Sequence, residues 1–314
     1  MVTGQRVRRF LELPVAVKAA KTRSWVHGAV HGHMYLDART GLSNAIYVSG
    51  SPRSGSTWLA SILCDLLRYR LIFEPIRHAN DELAHFSNRF VDETEERLQL
   101  KRTVHGFLTG EVRLPYADRR NRRIIARGRI AKDVGSSLLL GWLRTTFPDL
   151  PIVFIVREPL LAVSSLMRMK WFTPRTPRFW LAQHGLMARH LNPLRGLIEA
   201  SNSYVERCAL EWCISNSVPL RQFRADAWVM VRYIDLFEKP RETLNRLTDY
   251  LGVPYDGSLP RSFVQPSHTA ESPVPVHGMG TTTWDVKLSP SERRTVEAYV
   301  KHFALEEFLW LTDG

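Results

Sequence analysis

The feature that most constrains this chain is an apolar run that passes straight into a glycine-bearing loop and then into a helix-spaced series. Ala45-Ile46-Tyr47-Val48-Ser49 reads as a buried strand, and Gly50-Ser51-Pro52-Arg53-Ser54-Gly55-Ser56-Thr57 follows without a break. Leu59, Ile62, Leu63, Leu66 and Leu67 then recur at helical spacing, which predicts a helix from about Thr57 to Tyr69. Backbone amides and a helix start at such a junction form a cradle for a phosphate-like anion.

Further along, Leu71-Ile72-Phe73 and Arg123-Ile124-Ile125-Ala126 read as strands, and Ile152-Val153-Phe154-Ile155-Val156 is the strongest strand signal of all. Trp228 to Tyr233 reads as another buried strand. Helices are expected over much of 80–111, at about 136–147, from Pro240 to Leu251 ahead of the stop signal Gly252, and after Ser289-Pro290. Strands alternating with helices imply a parallel sheet with crossover helices, an α/β fold in three layers. With no internal repeat and no linker, residues 41–314 read as one domain behind a basic segment, 1–40.

The loop resembles G-x-x-x-x-G-K-[ST] in its glycines and its terminal Thr57, but Ser56 stands where that pattern has Lys. A nucleoside-triphosphate enzyme would lack the cation that bridges its β- and γ-phosphates. Here the cation is Arg53, inside the loop. The alternative for the segment is a tight Gly-Pro turn with no ligand.

P-R-S-G-S-T-W, residues 52–58, resembles the 5′-phosphosulfate loop of the sulfotransferase superfamily, in the form common to bacterial, carbohydrate and tyrosylprotein members. A second signature of that family is an Arg at a strand end with a Ser eight residues later. Ile155-Val156-Arg157 to Ser165 supplies it, about 100 residues after the first. The resemblance covers about 45–300 and implies a P-loop-like sheet. It also implies 3′-phosphoadenosine-5′-phosphosulfate (PAPS) as donor, bound by Arg53, Ser54, Gly55, Ser56 and Thr57 at one anion and by Arg157 and Ser165 at the other. Trp58 matches the position that stacks on adenine; the alternative is a core aromatic at the base of the helix. For Arg157 the alternative is a surface residue paired with Glu158.

Transfer of a sulfuryl group needs a base on the acceptor hydroxyl and positive charge around the sulfonate. Phe73-Glu74-Pro75 directly follows a strand, and Glu74 matches the glutamate of tyrosylprotein sulfotransferases. His78 is the alternative base, as in cytosolic members; either could simply be a satisfied polar residue. Arg53 and Lys132 are expected to keep Glu74 ionised. Ala131-Lys132-Asp133 resembles a family segment whose Lys assists the sulfonate, with Val134 here in place of Pro. Arg232-Tyr233-Ile234-Asp235-Leu236 resembles a family strand end. Val276-His277-Gly278-Met279-Gly280 through Trp284 falls where a basic loop closes over the 3′-phosphate in relatives. No metal is expected.

Charge adds a second constraint. The formal net charge is +12, carried mostly by Arg, since only 8 residues are Lys. Such a field favours polyanionic ligands, anionic membranes or nucleic acid without choosing among them, and Arg suits bidentate contacts to phosphate or sulfate. Between Pro159 and Ile198 there is no Asp or Glu, yet Arg168, Lys170, Arg175, Arg178, Arg189 and Arg195 alternate with Trp171, Phe172, Phe179 and Trp180. The expected acceptor region is 166–200: a lid over a sugar or glycolipid, a patch on an anionic membrane, or a helical insertion with a solvated basic face. Arg6, Arg8, Arg9, Lys18, Lys21 and Arg23 suggest a basic amphipathic segment that could lie on a membrane, or a plain solvated helix. His27, His31 and His33 lack the Cys or carboxylate of a metal site. Cys64, Cys208 and Cys213, with no sequon and no membrane-spanning run, fit a cytoplasmic protein with free thiols, peripheral to a membrane at most.

The expected function is therefore sulfuryl transfer from PAPS to an acceptor hydroxyl on a carbohydrate, glycolipid or other small alcohol. The competing readings are a P-loop kinase and a basic nucleic-acid-binding module. No nucleic-acid motif is recognisable, and none is expected as a partner.

Overall fold

A computed structural model describes residues 34–78, 81–169, 172–223, 228–263 and 286–311. The strands are β1 (Leu36–Asp37), β2 (Ala45–Gly50), β3 (Arg70–Phe73), β4 (Ile125–Ala126), β5 (Arg129–Asp133), β6 (Ile152–Val156) and β7 (Val229–Arg232). Five of them form one parallel sheet in the order β3-β5-β2-β6-β7, and β1 pairs with β4 in a separate parallel ladder. The helices that matter to the site and core are α1 (Ser56–Leu67), α2 (Pro75–His78), α3 (Leu98–Thr109), α4 (Pro115–Asp118), α5 (Leu140–Thr146), α6 (Pro159–Met167), α7 (Tyr204–Gln222), α8 (Pro240–Tyr250) and α9 (Pro290–His302).

Alternate residues of a strand face opposite sides of the sheet, and the two faces have separate cores. Ile46, Val48, Phe73, Val153 and Ile155 pack with Leu59, Ile62 and Leu63 of α1 and Leu244 and Leu247 of α8. Tyr47, Ile72, Ala131, Ile152 and Phe154 pack with α3, α5, α6, α7 and α9 through residues such as Phe107, Trp142, Leu160, Trp212 and Val300. The result is the three-layer α/β fold expected from the sequence. Because every strand of the sheet runs the same way, the loops after β2, β3, β5, β6 and β7 gather at one edge, where open α/β sheets bind ligands.

Several elements differ from the sequence reading. The strand expected at Arg123–Ala126 shrinks to β4, outside the main sheet; the core strand is β5, three residues further on. Charged Arg129 and Lys132, which a hydropathy pattern assigns to solvent, are 0% and 2% exposed in β5. Of the described residues in 80–111, only Asp81–Ala84 and those of α3 are helical. Between them Asp92 accepts hydrogen bonds from the Thr94 amide and hydroxyl, a local alternative to helix. The expected helix at 136–147 opens with a 3₁₀ turn, Ser137–Leu139, before α5. The 19-residue α7 was not anticipated, although Ser203 and Glu206 form a reciprocal capping box at its start.

In the stretch expected to hold the acceptor, Trp180 is completely buried and Phe179 lies against Arg89 and Arg175, each 5.2 Å from the ring. These aromatics contribute to packing. Tyr35 and Asp37 bond to Asp118 and Arg70, so the folded unit takes in residues ahead of 41. All three cysteines are free. Among the described residues, no helix is long and apolar enough to cross a membrane. The expectations for 1–33, Lys170, Trp171 and Val276–Trp284 lie outside the described residues.

Candidate active site at the carboxyl ends of the strands

The loop after β2 is held by two close approaches. Gly55 starts α1 at φ +90°, and a Cβ there would meet the Tyr233 ring at 2.5 Å. A Cβ on Gly50 would meet the Ile155 carbonyl oxygen at 2.5 Å. Arg53 is also left-handed, at φ 67°, an uncommon conformation for a residue with a side chain. No side chain caps α1, so its first amides keep their donor capacity. The hydroxyls of Ser51 and Ser54 are buried and have no hydrogen-bond partner among the described residues. A buried polar atom without a partner costs about 1–3 kcal/mol, and several together at a helix start suit an anionic ligand.

The second signature folds onto the first. Arg53 Nε donates to Ser165 Oγ at 2.8 Å, and Arg157 Nη1 donates to the Arg53 carbonyl at 3.1 Å. Arg157 lies 4.6 Å from the centre of the Tyr233 ring, and its Nε is buried without a partner. Burial, only partly offset by Tyr233 and Glu158, holds this guanidinium below its ordinary pKa. Glu158 is not its ion-pair partner. It caps α6 by accepting from the Leu161 amide at 2.7 Å, and burial lifts its pKa to about 7. The adjacent Ser164 hydroxyl accepts from the Lys287 amide at 2.9 Å, which brings the chain back to α6 ahead of α9.

At the β3 side, Glu74 turns the chain with φ 50°, and its amide donates to the Lys132 carbonyl at 2.6 Å. Lys132 pairs in register with both Phe73 and Val48, so it faces the same side of the sheet as those residues. Its Nζ reaches Glu74 Oε1 at 3.0 Å, while His78 Nε2 lies 3.9 Å from Oε2. Burial would raise the Glu74 pKa, but Lys132, Arg77 and His78 outweigh it and hold the carboxyl below its usual range. Lys132 is one of the two cations expected there; Arg53 reaches toward Ser165 instead. His78 is pushed down, by burial first and by Arg77, Arg119 and Arg120 in addition, against the pull of Glu74.

Asp133 positions this turn, a role the sequence reading missed. Its fully buried carboxylate accepts from the Ile76 amide and the Gly135 amide, both at 2.8 Å. Burial, with Glu74 nearby, lifts its pKa to about 7. Its place beside Lys132 at a strand end was the available signal. Trp58 is 6% exposed, with ring centres of Phe237 and Phe263 at 5.0 and 5.2 Å and its Nε1 bonded to the Ser262 carbonyl.

The edge of the sheet thus presents a half-buried pair of cations (Arg53, Arg157) beside hydroxyls without partners among the described residues, and next to it an ionised carboxylate clamped by a lysine. The first can hold a compact polyanion; the second can take a proton near a cation. The chain belongs to the sulfotransferase family, whose model matches residues 45–257, including Arg53, Glu74, Lys132, Arg157 and Ser165. Among solved structures it is similar to a sulfotransferase from Alicyclobacillus acidocaldarius, at 15% identity and TM-score 0.45 over 85% of this chain and 95% of that one. It is also similar to the sulfotransferase domain of the Synechococcus PCC 7002 olefin synthase, at 19% identity and TM-score 0.44 over 86% and 97%. A mouse sulfotransferase solved with PAP, the donor product adenosine 3′,5′-bisphosphate, matches at 15% identity and TM-score 0.43 over 87% and 88%. No curated protein matches the chain.

Proposed function

We propose that this sulfotransferase moves a sulfuryl group from PAPS to a hydroxyl of a carbohydrate, glycolipid or other small alcohol. The observation that carries the reading is the contact of Arg53 with Ser165 and of Arg157 with the Arg53 loop, beside two unpartnered serine hydroxyls. The donor has two separate anionic groups, and this arrangement offers two adjoining places for them. In this reading the 5′-phosphosulfate lies on residues 53–57, with the first amides of α1 and Arg53 facing the leaving phosphate. Arg157 and the Ser165 hydroxyl take the 3′-phosphate, and the narrow exposed part of Trp58 meets the base.

The acceptor oxygen attacks sulfur, the bond from sulfur to the bridging phosphate oxygen breaks, and PAP leaves with that electron pair. The acceptor proton passes to Glu74. Oε1 is engaged by Lys132, so Oε2, on the His78 side, is the oxygen that receives it. Lys132 faces both the carboxylate and the incoming sulfonate, and preorganised positive charge stabilises the spreading negative charge there. A lowered pKa keeps Glu74 ionised at neutral pH. His78, with its own pKa lowered, is neutral at pH 7 and positions rather than repels.

The test compares Glu74→Gln with His78→Ala, using labelled PAPS and a whole-cell lipid and carbohydrate extract. Glu74→Gln should keep PAP affinity and lose about 10²–10⁴-fold in turnover, the usual contribution of a positioned base. His78→Ala should lose far less. The reverse pattern would assign the base to histidine, and absence of PAP binding by the wild type would remove the donor assignment.

A further inference from the structure

We infer that the acceptor carries its own anionic group, a phosphate, sulfate or carboxylate close to the reacting hydroxyl, which seats against Arg120 with Arg119 and Arg77 around it. This rests on the reading of Glu74 as the acceptor-side base. β3 is an edge strand of the sheet, so the donor elements after β2, β6 and β7 lie on one side of Glu74 and no strand of that sheet lies on the other. The element packed there is α4, which touches both β3 and α2 and runs straight into Arg119-Arg120.

Arg120 lies with its guanidinium carbon 3.9 Å from the centre of the Phe73 ring, next to Glu74 in the chain, and Lys132 Nζ is 4.6 Å from the same centre. Arg120 Nη1 is buried and has no hydrogen-bond partner among the described residues. Burial, and then Arg119, lower the Arg120 pKa, while Glu74 pulls it up. Among the described residues, neither Arg77, Arg119 nor Arg120 forms an ion pair; Glu74 is paired to Lys132, and Asp118 is taken by Arg70 and Tyr35. Arg77 and Arg120 therefore lie in the field of a carboxylate already neutralised by Lys132, with Arg119 beside Arg120 and His78.

The other wall is aromatic. The Tyr116 ring lies 4.3 Å from His78, carries Arg119 at 3.6 Å, and is 47% exposed. A flat, partly apolar surface beside an unpartnered guanidinium suits a sugar-like or other compact alcohol with a charged substituent. A neutral acceptor could give the buried Nη1 only an ordinary hydrogen bond, whereas an anionic one gives it a charge-assisted bond about twice as strong.

The experiment saturates the full chain with PAP, so that the cations around Arg53 and Arg157 are occupied, and titrates three probes by calorimetry. These are sn-glycerol 3-phosphate, glycerate and glycerol. At least one charged probe should bind while glycerol does not. Tighter binding of glycerol phosphate assigns a phosphate-like group and tighter binding of glycerate a carboxylate. Arg120→Gln should weaken the charged probe at least tenfold with PAP affinity retained. Should that variant not fold, the exposed Arg119→Gln is expected to weaken the probe about threefold. Absence of charged-probe binding to the PAP complex, or equal binding by wild type and variant, overturns the inference. Failure of PAP to bind at all is a separate result, against the donor assignment; the probes then read out Arg120 on the nucleotide-free chain.

Discussion

At the amino ends of β3 and β5, Arg70 and Arg129 are buried beside Asp37 and Asp118; at the carboxyl ends of β2 and β6, Arg53 and Arg157 are half-buried beside hydroxyls and carbonyls. Arg70 reaches Asp37 at 2.8 Å and Asp118 at 2.6 Å, and stacks on Tyr35 at 4.2 Å. Arg129 is 3.4 Å from Asp37 and donates to the carbonyls of Gly41, Leu108 and Arg39. Burial pulls the Arg70 pKa down, yet Asp118 and Asp37 outweigh it and the value rises. For Arg157 nothing outweighs burial and the value falls. Arg70 is charge-balanced within the protein, whereas Arg157, less hidden at the surface, forms no ion pair among the described residues. The balanced end, around Arg70, holds the strands and loops together; in the proposed function the other end, around Arg157, meets a ligand's charge.

The largest expected effect lies at the balanced end. Arg70→Met leaves Asp37 and Asp118 buried without their main cation, and breaking a buried pair in this way costs about 3–5 kcal/mol of stability. Chemical denaturation should show that loss, while the folded fraction binds PAP with wild-type affinity. A weakened nucleotide affinity with unchanged stability would erase the distinction between the two ends.

Arg157→Met sharpens the comparison from the other side. It removes a half-buried cation that forms no ion pair among the described residues, so stability should stay level or rise. PAP affinity should fall by about 1.5–3 kcal/mol, the range for a hydrogen bond to a charged group. A nucleotide lacking the 3′-phosphate should bind as before. Equal losses for both nucleotides would make Arg157 structural, like Arg70.

Both strand–loop–helix motifs were legible in the sequence because their information is local. Gly50, Arg53 and Gly55 lie within six positions, and Arg157 and Ser165 within nine. The contact that joins them was not legible: Arg53 and Ser165 are 112 positions apart and meet only because β2 and β6 are neighbours. β5 was hidden for a different reason. Its Arg129, Lys132 and Asp133 are charged and buried, and a pattern reading assigns charge to solvent. What buries them is three pairings drawn from elsewhere: Asp37 on β1, Glu74 after β3, and the amide of Ile76. The clamp on Glu74 follows from the register of Phe73 opposite Lys132, which no sequence interval reports.

The smallest expected effect is a pH dependence at the carboxyl end. Glu158 is nearly fully buried, has its pKa lifted to about 7 by burial, and leaves Oε1 without a partner. An unfolded glutamate titrates near 4.3. Between those values the folded chain binds more protons than the unfolded one, so stability contributed here is greatest below the unfolded value and declines as pH rises through about 7. One such group gives a fall of about 1 kcal/mol between pH 6 and pH 8. Glu158→Gln removes the titrating proton and should flatten that part of the stability profile, measured by denaturation of the nucleotide-free chain. The Gln side-chain oxygen can still accept from Leu161, so the cap on α6 survives the change. Asp133, also lifted to about 7, leaves a residual slope in the variant. If Glu158→Gln leaves the slope between pH 6 and pH 8 unchanged, the carboxyl beside Arg157 is already ionised. Arg157 then has the counter-charge that the contrast with Arg70 denies it.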